Sequence, residues 1–149
     1  MIPDEHHLLR ETFFTETAAT PITQSARLMQ QAREKLPVAM DIPGAKVQGA
    51  NWGDMKAAYM QFAAGTDFAP LLAGLPNDHC QCPHWGYVLE GRIRVTYQDG
   101  TEETVKAGEV YYWPPGHSVR FEEDTAYVEF SPRQEMDEVL QHVGRKLEG

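Results

Sequence analysis

Short apolar runs alternate with turn residues from residue 87 to residue 130, and this pattern constrains the fold more than any other feature of the chain. The segment reads YVLEGRIRVTYQDGTEETVKAGEVYYWPPGHSVRFEEDTAYVEF, with Gly, Pro and Asp at the spacing expected between the strands of a β-sandwich or barrel. Asp99-Gly100 stands between two apolar runs, which is a strong hairpin signal. The sequence therefore predicts an all-β body.

A helix is predicted on each side of this body. On the N-terminal side, Thr20 offers an N-cap, Pro21 a first helical residue, and the apolar residues of the segment 22–36 fall close to one face before Pro37 ends it.

The C-terminal helix is predicted from a capping pattern. Ser131 would be its N-cap, Pro132 its first residue and Gln134 the capping-box amide. An apolar stripe follows at helical spacing, formed by Met136, Val139, Leu140 and Val143.

The length and composition fit one soluble domain. The chain has 149 residues, 42% of them hydrophobic and 23% charged, which are ordinary proportions for a globular protein with one core. We expect an N-terminal arm and helix over residues 1–44, a barrel over 45–131, and a helix packing on the barrel over 132–149.

The charge excludes some partners. The formal net charge is −9, so nucleic acid and anionic membrane surfaces are disfavoured. The N-terminus lacks the apolar run of a signal peptide, and no segment has the length and hydropathy of a membrane span. We therefore expect a cytoplasmic protein, in which thiols stay reduced and two cysteines more often indicate metal binding or chemistry than a disulfide.

Both cysteines lie in the segment HCQCPHWGYV, which begins at His79. Cys80, Cys82 and His84 share parity, so on an extended strand they would point to the same side. Thiolates and imidazole are ligands that suit zinc. His117, directly after a Pro-Pro-Gly turn, is the fourth candidate, and His79 is a reserve ligand because its parity is wrong for the same strand face.

Simpler interpretations of these residues remain open. A free cysteine often only fills space in a core, and a histidine after a turn is often solvated. The aromatic residues Tyr111, Tyr112, Trp113 and Phe121 are consistent with a substrate pocket and equally with ordinary packing.

Both faces of the strand that follows the cysteines are largely apolar. Trp85, Tyr87 and Leu89 alternate with His84, Gly86 and Val88, so one face would line the barrel and the other would need a cover. A second subunit or the N-terminal helix would provide that cover. We prefer a homodimer.

These motifs resemble those of the cupin superfamily over roughly residues 45–131. The first cupin motif ends in a glycine matched by Gly91, and counting back from it places His84 at the usual glutamate, Cys80 at the second histidine and Asp78 at the first. Cys82 is inserted between Cys80 and His84, at a position of the same parity. The sequence is most similar to small bacterial cupins with a Cys-Gln-x-Pro-His-x-Gly-Tyr-Val pattern.

The second cupin motif is matched by Gly108, Pro114 and Gly116. His117 follows this glycine directly, and Val119 occupies the slot in which the family usually has its histidine. The resemblance implies an antiparallel jelly-roll barrel with a metal bound by Cys80, His84 and His117, and with Cys82 as the fourth ligand. This ligand set departs from the usual three histidines and one glutamate.

Two functions follow from the resemblance. The first is an enzyme that acts on a small organic molecule as an isomerase, lyase or dioxygenase, with the metal as Lewis acid and zinc favoured over iron, nickel or manganese. The second is a ligand-sensing or structural zinc module, in which all four ligands would close the coordination sphere. No residue beyond the ligands is identified as an acid or a base.

Overall fold

The computed structural model describes residues 29–149. These residues form nine strands, two α-helices and two single turns of 3-10 helix, at Arg33–Lys35 and Pro76–Asp78. The strands are β1 Val38–Ile42, β2 Ala45–Trp52, β3 Met55–Phe62, β4 His84–Glu90, β5 Arg92–Tyr97, β6 Glu102–Lys106, β7 Val110–Trp113, β8 His117–Phe121 and β9 Thr125–Pro132. The helices are α1 Ala69–Leu72 and α2 Arg133–Glu148.

The strands form two antiparallel sheets. The larger sheet has the order β1-β2-β3-β9-β4-β7, and the smaller has the order β6-β5-β8. All paired strands in both sheets are antiparallel. The antiparallel jelly-roll barrel and the C-terminal helix predicted from the sequence are confirmed.

The core lies between the two sheets. Val88 of the larger sheet and Ile93, Val95 and Phe121 of the smaller one have no exposed surface. Phe62 stacks on Phe121 with ring centroids 4.7 Å apart, so aromatic contacts join the sheets as well. These inward residues occupy alternate strand positions, which is why the two-residue periodicity identified the strands.

The Asp-Gly hairpin forms as predicted. Gly100 adopts a φ of +89°, a value that favours glycine, and the Asp99 carboxylate accepts hydrogen bonds from the backbone N–H and the hydroxyl of Thr101 at 2.9 and 2.6 Å. The turn sets the antiparallel register of β5 and β6.

The described part of the predicted N-terminal helix is not helical. Residues 20–28 lie outside the described residues, and residues 29–36 hold only the 3-10 turn at Arg33–Lys35. The Gln48 side-chain amide donates to the carbonyls of Arg33 and Leu36 at 3.0 and 3.1 Å, so tertiary contacts satisfy these carbonyls. Val38–Ile42 then pairs with β2, so the sheet begins before residue 45.

The start of the C-terminal helix also differs from the prediction. Ser131 lies within β9 and its hydroxyl bonds to His84, so it does not cap α2. The backbone N–H of Arg133, the first helical residue, donates instead to the carbonyl of Asp54 at 2.8 Å. A backbone carbonyl from another element thus replaces the expected side-chain cap.

The outer face of the larger sheet carries aromatic and aliphatic side chains. Trp85, Tyr87 and Leu89 of β4 are 44%, 42% and 38% exposed. Trp85 pairs across the sheet with Tyr112 on one side and Phe130 on the other, and its ring stacks on Tyr112. The described chain therefore leaves this apolar face accessible. None of the helices among residues 29–149 has the length and hydropathy to cross a membrane.

Candidate metal centre

Three of the predicted ligands meet inside the barrel. His84 begins β4, His117 begins β8, and the backbone N–H of Cys80 donates to the carbonyl of His117 at 2.8 Å, which holds the cysteine beside β8. The ligand atoms of these three side chains all lie within 4.8 Å of one another, and all three residues are buried.

In each histidine Nδ1 is held by another part of the protein, and Nε2 of His84 faces the Cys80 thiol. Nδ1 of His84 lies 2.7 Å from the Ser131 hydroxyl, and Nδ1 of His117 lies 2.7 Å from the carbonyl oxygen of Pro114. Because a carbonyl only accepts, His117 carries its proton on Nδ1 and keeps the lone pair on Nε2. Orientation of one imidazole nitrogen by a protein partner is typical of metal-binding histidines.

The distance between the Cys80 and His84 donor atoms fits a tetrahedral ion. The Cys80 Sγ is 3.5 Å from the His84 Nε2. An ion about 2.3 Å from sulfur and about 2.0 Å from nitrogen, with a tetrahedral angle between them, separates the two atoms by about 3.5 Å. The donor atoms are a thiolate and two imidazoles, which suit zinc and other borderline divalent metals. These residues therefore fit a transition metal ion.

Burial keeps both histidines neutral. It lowers the pKa of His117 to about 4 and the pKa of His84 well below its ordinary value, with the neighbouring His117 as a second cause for His84. Burial also raises the pKa of the Cys80 thiol to about 12. Neutral imidazoles are the form that binds metal, whereas Cys80 would have to lose its proton to bind one.

Cys82 is buried, but it lies outside this group of three. The expected continuous strand over residues 79–83 does not form, because the chain bends at Cys82 and β4 begins only at His84. The Cys82 thiol donates to the Pro83 carbonyl at 3.4 Å. His79, the reserve ligand, is half-buried and its Nδ1 lies 2.6 Å from the carbonyl oxygen of Asn77, and it too lies outside the group.

Glu129 is part of the site, and the sequence interpretation did not include it. Its side chain is buried on β9, accepts a hydrogen bond from the Tyr111 hydroxyl at 2.9 Å, and lies 3.6 Å from Nδ1 of His84. Burial raises its pKa to about 8, although the Tyr111 hydrogen bond opposes the rise. Its signal was the shared parity of Tyr127, Glu129 and Ser131, which places polar residues on an inward strand face.

A cavity of ≈ 270 Å³ adjoins the three ligands. Cys80, His84, His117 and Glu129 form part of its wall, and α2 covers another part. The remaining lining is mainly aliphatic and aromatic, including Val47, Met60, Phe62, Phe68, Leu71, Leu72, Val119, Met136, Val139, Leu140, Val143 and Leu147.

Only one member of the expected aromatic cluster lines this cavity. Trp113 is in its wall, and Tyr111 stacks on Trp113 from behind with ring centroids 3.9 Å apart. Phe121 is in the core between the sheets and Tyr112 is exposed on the outer face. Alternate residues of β7 point to opposite sides, so four aromatic residues close in sequence do not share one wall.

Fold and site together define a small antiparallel β-barrel protein with a buried Cys-His-His group beside an internal cavity. Residues 58–130 match the family model for the cupin domain. The chain belongs to the cupin superfamily, as its motifs indicated.

Solved structures support the same fold. An RmlC-like cupin from Shewanella frigidimarina has a TM-score of 0.52 at 18% identity, covering 70% of this chain and 90% of that one. A mutant of the Bacillus subtilis oxalate decarboxylase has a TM-score of 0.53 at 16% identity, covering 69% of this chain but only 29% of the decarboxylase. At these identities the likeness shows the fold alone. No curated protein sequence matches the chain.

Proposed function

We propose that Cys80, His84 and His117 hold one divalent transition metal ion, with zinc favoured over iron, nickel or manganese, and that the protein is an enzyme for a small molecule bound in the adjoining cavity. The observation that carries this proposal is the convergence of three buried ligand atoms on the cavity wall. Bound there, the ion would supply a Lewis acid and a water molecule with a lowered pKa.

The position of Cys82 favours an enzyme over a structural site. Structural zinc sites have four protein ligands, whereas catalytic sites keep one position open. The Cys82 thiol is engaged with the Pro83 carbonyl and lies outside the group, so three ligands leave a position open beside the cavity. Isomerase and lyase chemistry suit zinc, which has no redox activity, and a dioxygenase would require a redox-active metal such as iron.

Glu129 and Ser131 would support the site through His84. The Ser131 hydroxyl orients the imidazole, and the Glu129 carboxyl lies on the same side of the ring at 3.6 Å from Nδ1. The Tyr111 hydroxyl holds this carboxyl in place. Such partners fix the ring orientation and increase the basicity of a ligating histidine.

Metal analysis of matched variants tests the ligand set. We expect wild-type protein to contain about one metal ion per chain, as three ligands from one cluster imply. Cys80→Ala, His84→Ala and His117→Ala should each lose most of it, whereas Cys82→Ala, which removes an equally buried thiol, should retain it. Unchanged metal content in all three ligand variants would disprove the proposal.

Cobalt substitution gives the same test a spectroscopic readout. A thiolate bound to cobalt produces a sulfur-to-metal charge-transfer band in the near ultraviolet. We expect this band to be absent in Cys80→Ala and preserved in Cys82→Ala. A band that disappears in Cys82→Ala would contradict the three-ligand site.

A structural zinc site is the second candidate, and the burial of Cys82 favours it. Cys82 is 1% exposed, and burial, followed by the neighbouring Cys80, raises the pKa of its thiol well above the ordinary value. If all four residues bound the metal, the free energy of metal binding would contribute to the stability of the fold. In that case chelation should lower the melting temperature of wild-type protein sharply, and Cys82→Ala should reduce this dependence.

We propose that a second copy of the chain covers the outer face of the larger sheet. Antiparallel sheets that face water usually carry polar residues there, whereas Trp85, Tyr87 and Tyr112 occupy this face. An apolar patch shared by two identical chains forms a self-complementary interface. In sedimentation measurements, Trp85→Lys should yield monomers, and Thr104→Lys on the smaller sheet should leave a dimer unchanged. A wild-type monomer at high concentration would exclude this partner.

The reduced state of the cysteines is consistent with the cytoplasm, which we propose as the location. Cys80 and Cys82 are both free. Unpaired thiols are typical of a compartment in which disulfides do not form.

A further inference from the structure

The cavity beside the ligands is long, because its lining extends along both the larger sheet and α2. Glu129 lies at the ligand end of β9, and Phe62, also in the lining, pairs with Thr125 four residues further from the ligands. At about 3.4 Å per residue this separation is about 14 Å. On α2 the lining runs from Met136 to Leu147, which is about 16 Å at about 1.5 Å per residue.

The helix leads away from the ligands. The Asp137 carboxylate lies 2.7 Å from the Lys56 ammonium, near the start of α2. Lys56 pairs across the sheet with Ser131, whose hydroxyl contacts His84. The first turn of α2 therefore lies beside the candidate metal centre, and Leu147 lies at the other end of the cavity.

This far end opens to solvent. Ile42 and Leu147 belong to the lining and are 48% and 49% exposed, whereas the three candidate ligands at the near end are buried. Ile42 pairs with Ala45, which pairs in turn with Phe62 at the far end of the sheet lining. The cavity is thus a channel with the candidate ligands at its closed end and an apolar mouth.

The chemistry of the lining changes along this channel. Its ionisable side chains are those of the three candidate ligands, Glu129 and Tyr127, and among the described lining residues there is no lysine or arginine. The lining from α1, α2 and the β1–β2 hairpin is apolar, and includes Met40, Ile42, Leu71, Val139, Val143 and Leu147. A matching ligand has one polar end and one apolar end.

The volume limits the width and length of the ligand. Spread over about 15 Å, the ≈ 270 Å³ of the cavity gives a mean cross-section of about 18 Å², which admits a single hydrocarbon chain. An engineered cavity of about 150 Å³ accommodates the six carbon atoms of benzene, so this one has room for about eleven non-hydrogen atoms. That is the size of an unbranched carboxylate of about eight or nine carbons.

An anionic head group suits the ligand end. A divalent ion bound by one thiolate and two neutral imidazoles keeps one positive charge, and carboxylate oxygen is an ordinary ligand of such ions. Glu129 lies on the Nδ1 side of His84, whereas the Cys80 thiol, and hence the candidate ion, lies on the Nε2 side. The open metal position is therefore available to the carboxylate of a ligand.

We infer that the cavity binds an unbranched aliphatic carboxylate of about eight carbons, with its carboxylate on the open metal position and its tail along α2 toward Ile42 and Leu147. This inference deepens the proposed function and rests on its metal centre.

Chain length is the first variable to test. Calorimetric titration of the full chain with carboxylates from butanoate to dodecanoate measures it, with metal content determined for each sample. Burial of one methylene contributes about 0.8 kcal/mol, which is about fourfold in affinity. We expect a rise of about fourfold per methylene up to octanoate and then a plateau, because a longer tail leaves through the mouth. Affinity independent of chain length would overturn the inference.

Two matched probes separate tail shape from head group. The isomer 2-propylpentanoate has the composition and charge of octanoate but a shorter main chain, so it should bind at least about tenfold more weakly. Octan-1-ol keeps the chain without the charge, and octanoate should bind at least about tenfold more tightly until chelation removes the metal. Equal binding of the two isomers excludes the unbranched tail, and an advantage of octanoate that survives metal removal excludes the metal-bound head group.

Substitutions in α2 test the path of the tail. Val139→Phe narrows the channel and should weaken octanoate binding at least about tenfold at unchanged metal content, whereas Gln141→Phe, on the exposed side of α2, should preserve it. Leu147→Glu, at the exposed mouth, should weaken decanoate binding and leave hexanoate binding unchanged. Wild-type affinity for octanoate in Val139→Phe and for decanoate in Leu147→Glu would exclude this path.

Failure of the proposed function has a separate readout. Wild-type protein without metal would disprove the metal centre by itself. The alcohols from butan-1-ol to octan-1-ol would then still report on the channel, since the same rise per methylene supports the unbranched tail and a flat series overturns it.

Discussion

Both the packing of the larger sheet and the arrangement of the candidate site depend on Gly86. It lies in β4 between Tyr111 of β7 and Glu129 of β9. A Cβ atom added at this position would overlap the Tyr111 hydroxyl and the carbonyl oxygen of Val128. Gly86→Ala must therefore move a side chain and a strand backbone, and the Tyr111 hydroxyl it displaces is the one that donates to Glu129.

The expected destabilisation has two contributions. Overpacking costs about 1–3 kcal/mol, and loss of the hydrogen bond from Tyr111 costs about 0.5–1.5 kcal/mol if Glu129 is neutral. Glu129 is mostly neutral at pH 7 because its pKa is about 8. We therefore expect Gly86→Ala to lower the free energy of unfolding by about 1.5–4.5 kcal/mol, a large fraction of the about 5–15 kcal/mol typical of a domain.

Urea denaturation of metal-free protein measures this change as a lower midpoint with an unchanged slope. Gly144→Ala is the control, because nothing lies within 4 Å of an added Cβ in this part of α2. It should stabilise the protein by about 0.5–1 kcal/mol through helix propensity. Adding Tyr111→Phe to Gly86→Ala should cost less than the sum of the single changes, since it removes one of the overlapping atoms. A Gly86→Ala protein within about 0.5 kcal/mol of wild type would refute the packing argument.

Two further predictions concern the partners of His84. Ser131→Ala should weaken metal binding about tenfold to 100-fold, measured by competition with a chelator, because the imidazole loses the hydroxyl that orients it. In metal-free protein, folding raises the pKa of Glu129 from its ordinary value of 4.5 to about 8. Between these two pH values the folded protein holds a proton that the unfolded chain has released, so stability should fall as the pH rises from 4.5 to about 8. The pKa values of His84 and His117 are lowered from their ordinary value of 6.5, so these histidines oppose the fall only below about pH 6.5. Urea denaturation from about pH 6.5 to about pH 8 should therefore show a loss of stability in wild type that is absent in Glu129→Gln.

The barrel was predictable because its signals are local. Period-two alternation and the Asp99-Gly100 turn act between residues close in sequence, and they predicted the antiparallel β-body that the structure contains. The segment before β1 shows the opposite case. In residues 29–36, the described part of that segment, the Gln48 amide binds the carbonyls of Arg33 and Leu36 from a strand more than ten residues away, and this contact has no sequence signature.

The candidate ligands were found by an argument that is only partly correct. Parity along a strand grouped Cys80, Cys82 and His84, but the bend at Cys82 interrupts the strand, so parity cannot relate Cys80 to His84. A backbone bridge to His117 instead holds Cys80 beside β8 and so brings it near His84. This contact depends on the position of β8 in the barrel. The same bend turns the Cys82 thiol to the Pro83 carbonyl, and in the proposed site it leaves a position open. A chain extended through residue 82 would direct both thiols to one side and favour a closed tetrahedron. The local break in the strand is therefore what favours an enzyme over a structural zinc site in this barrel.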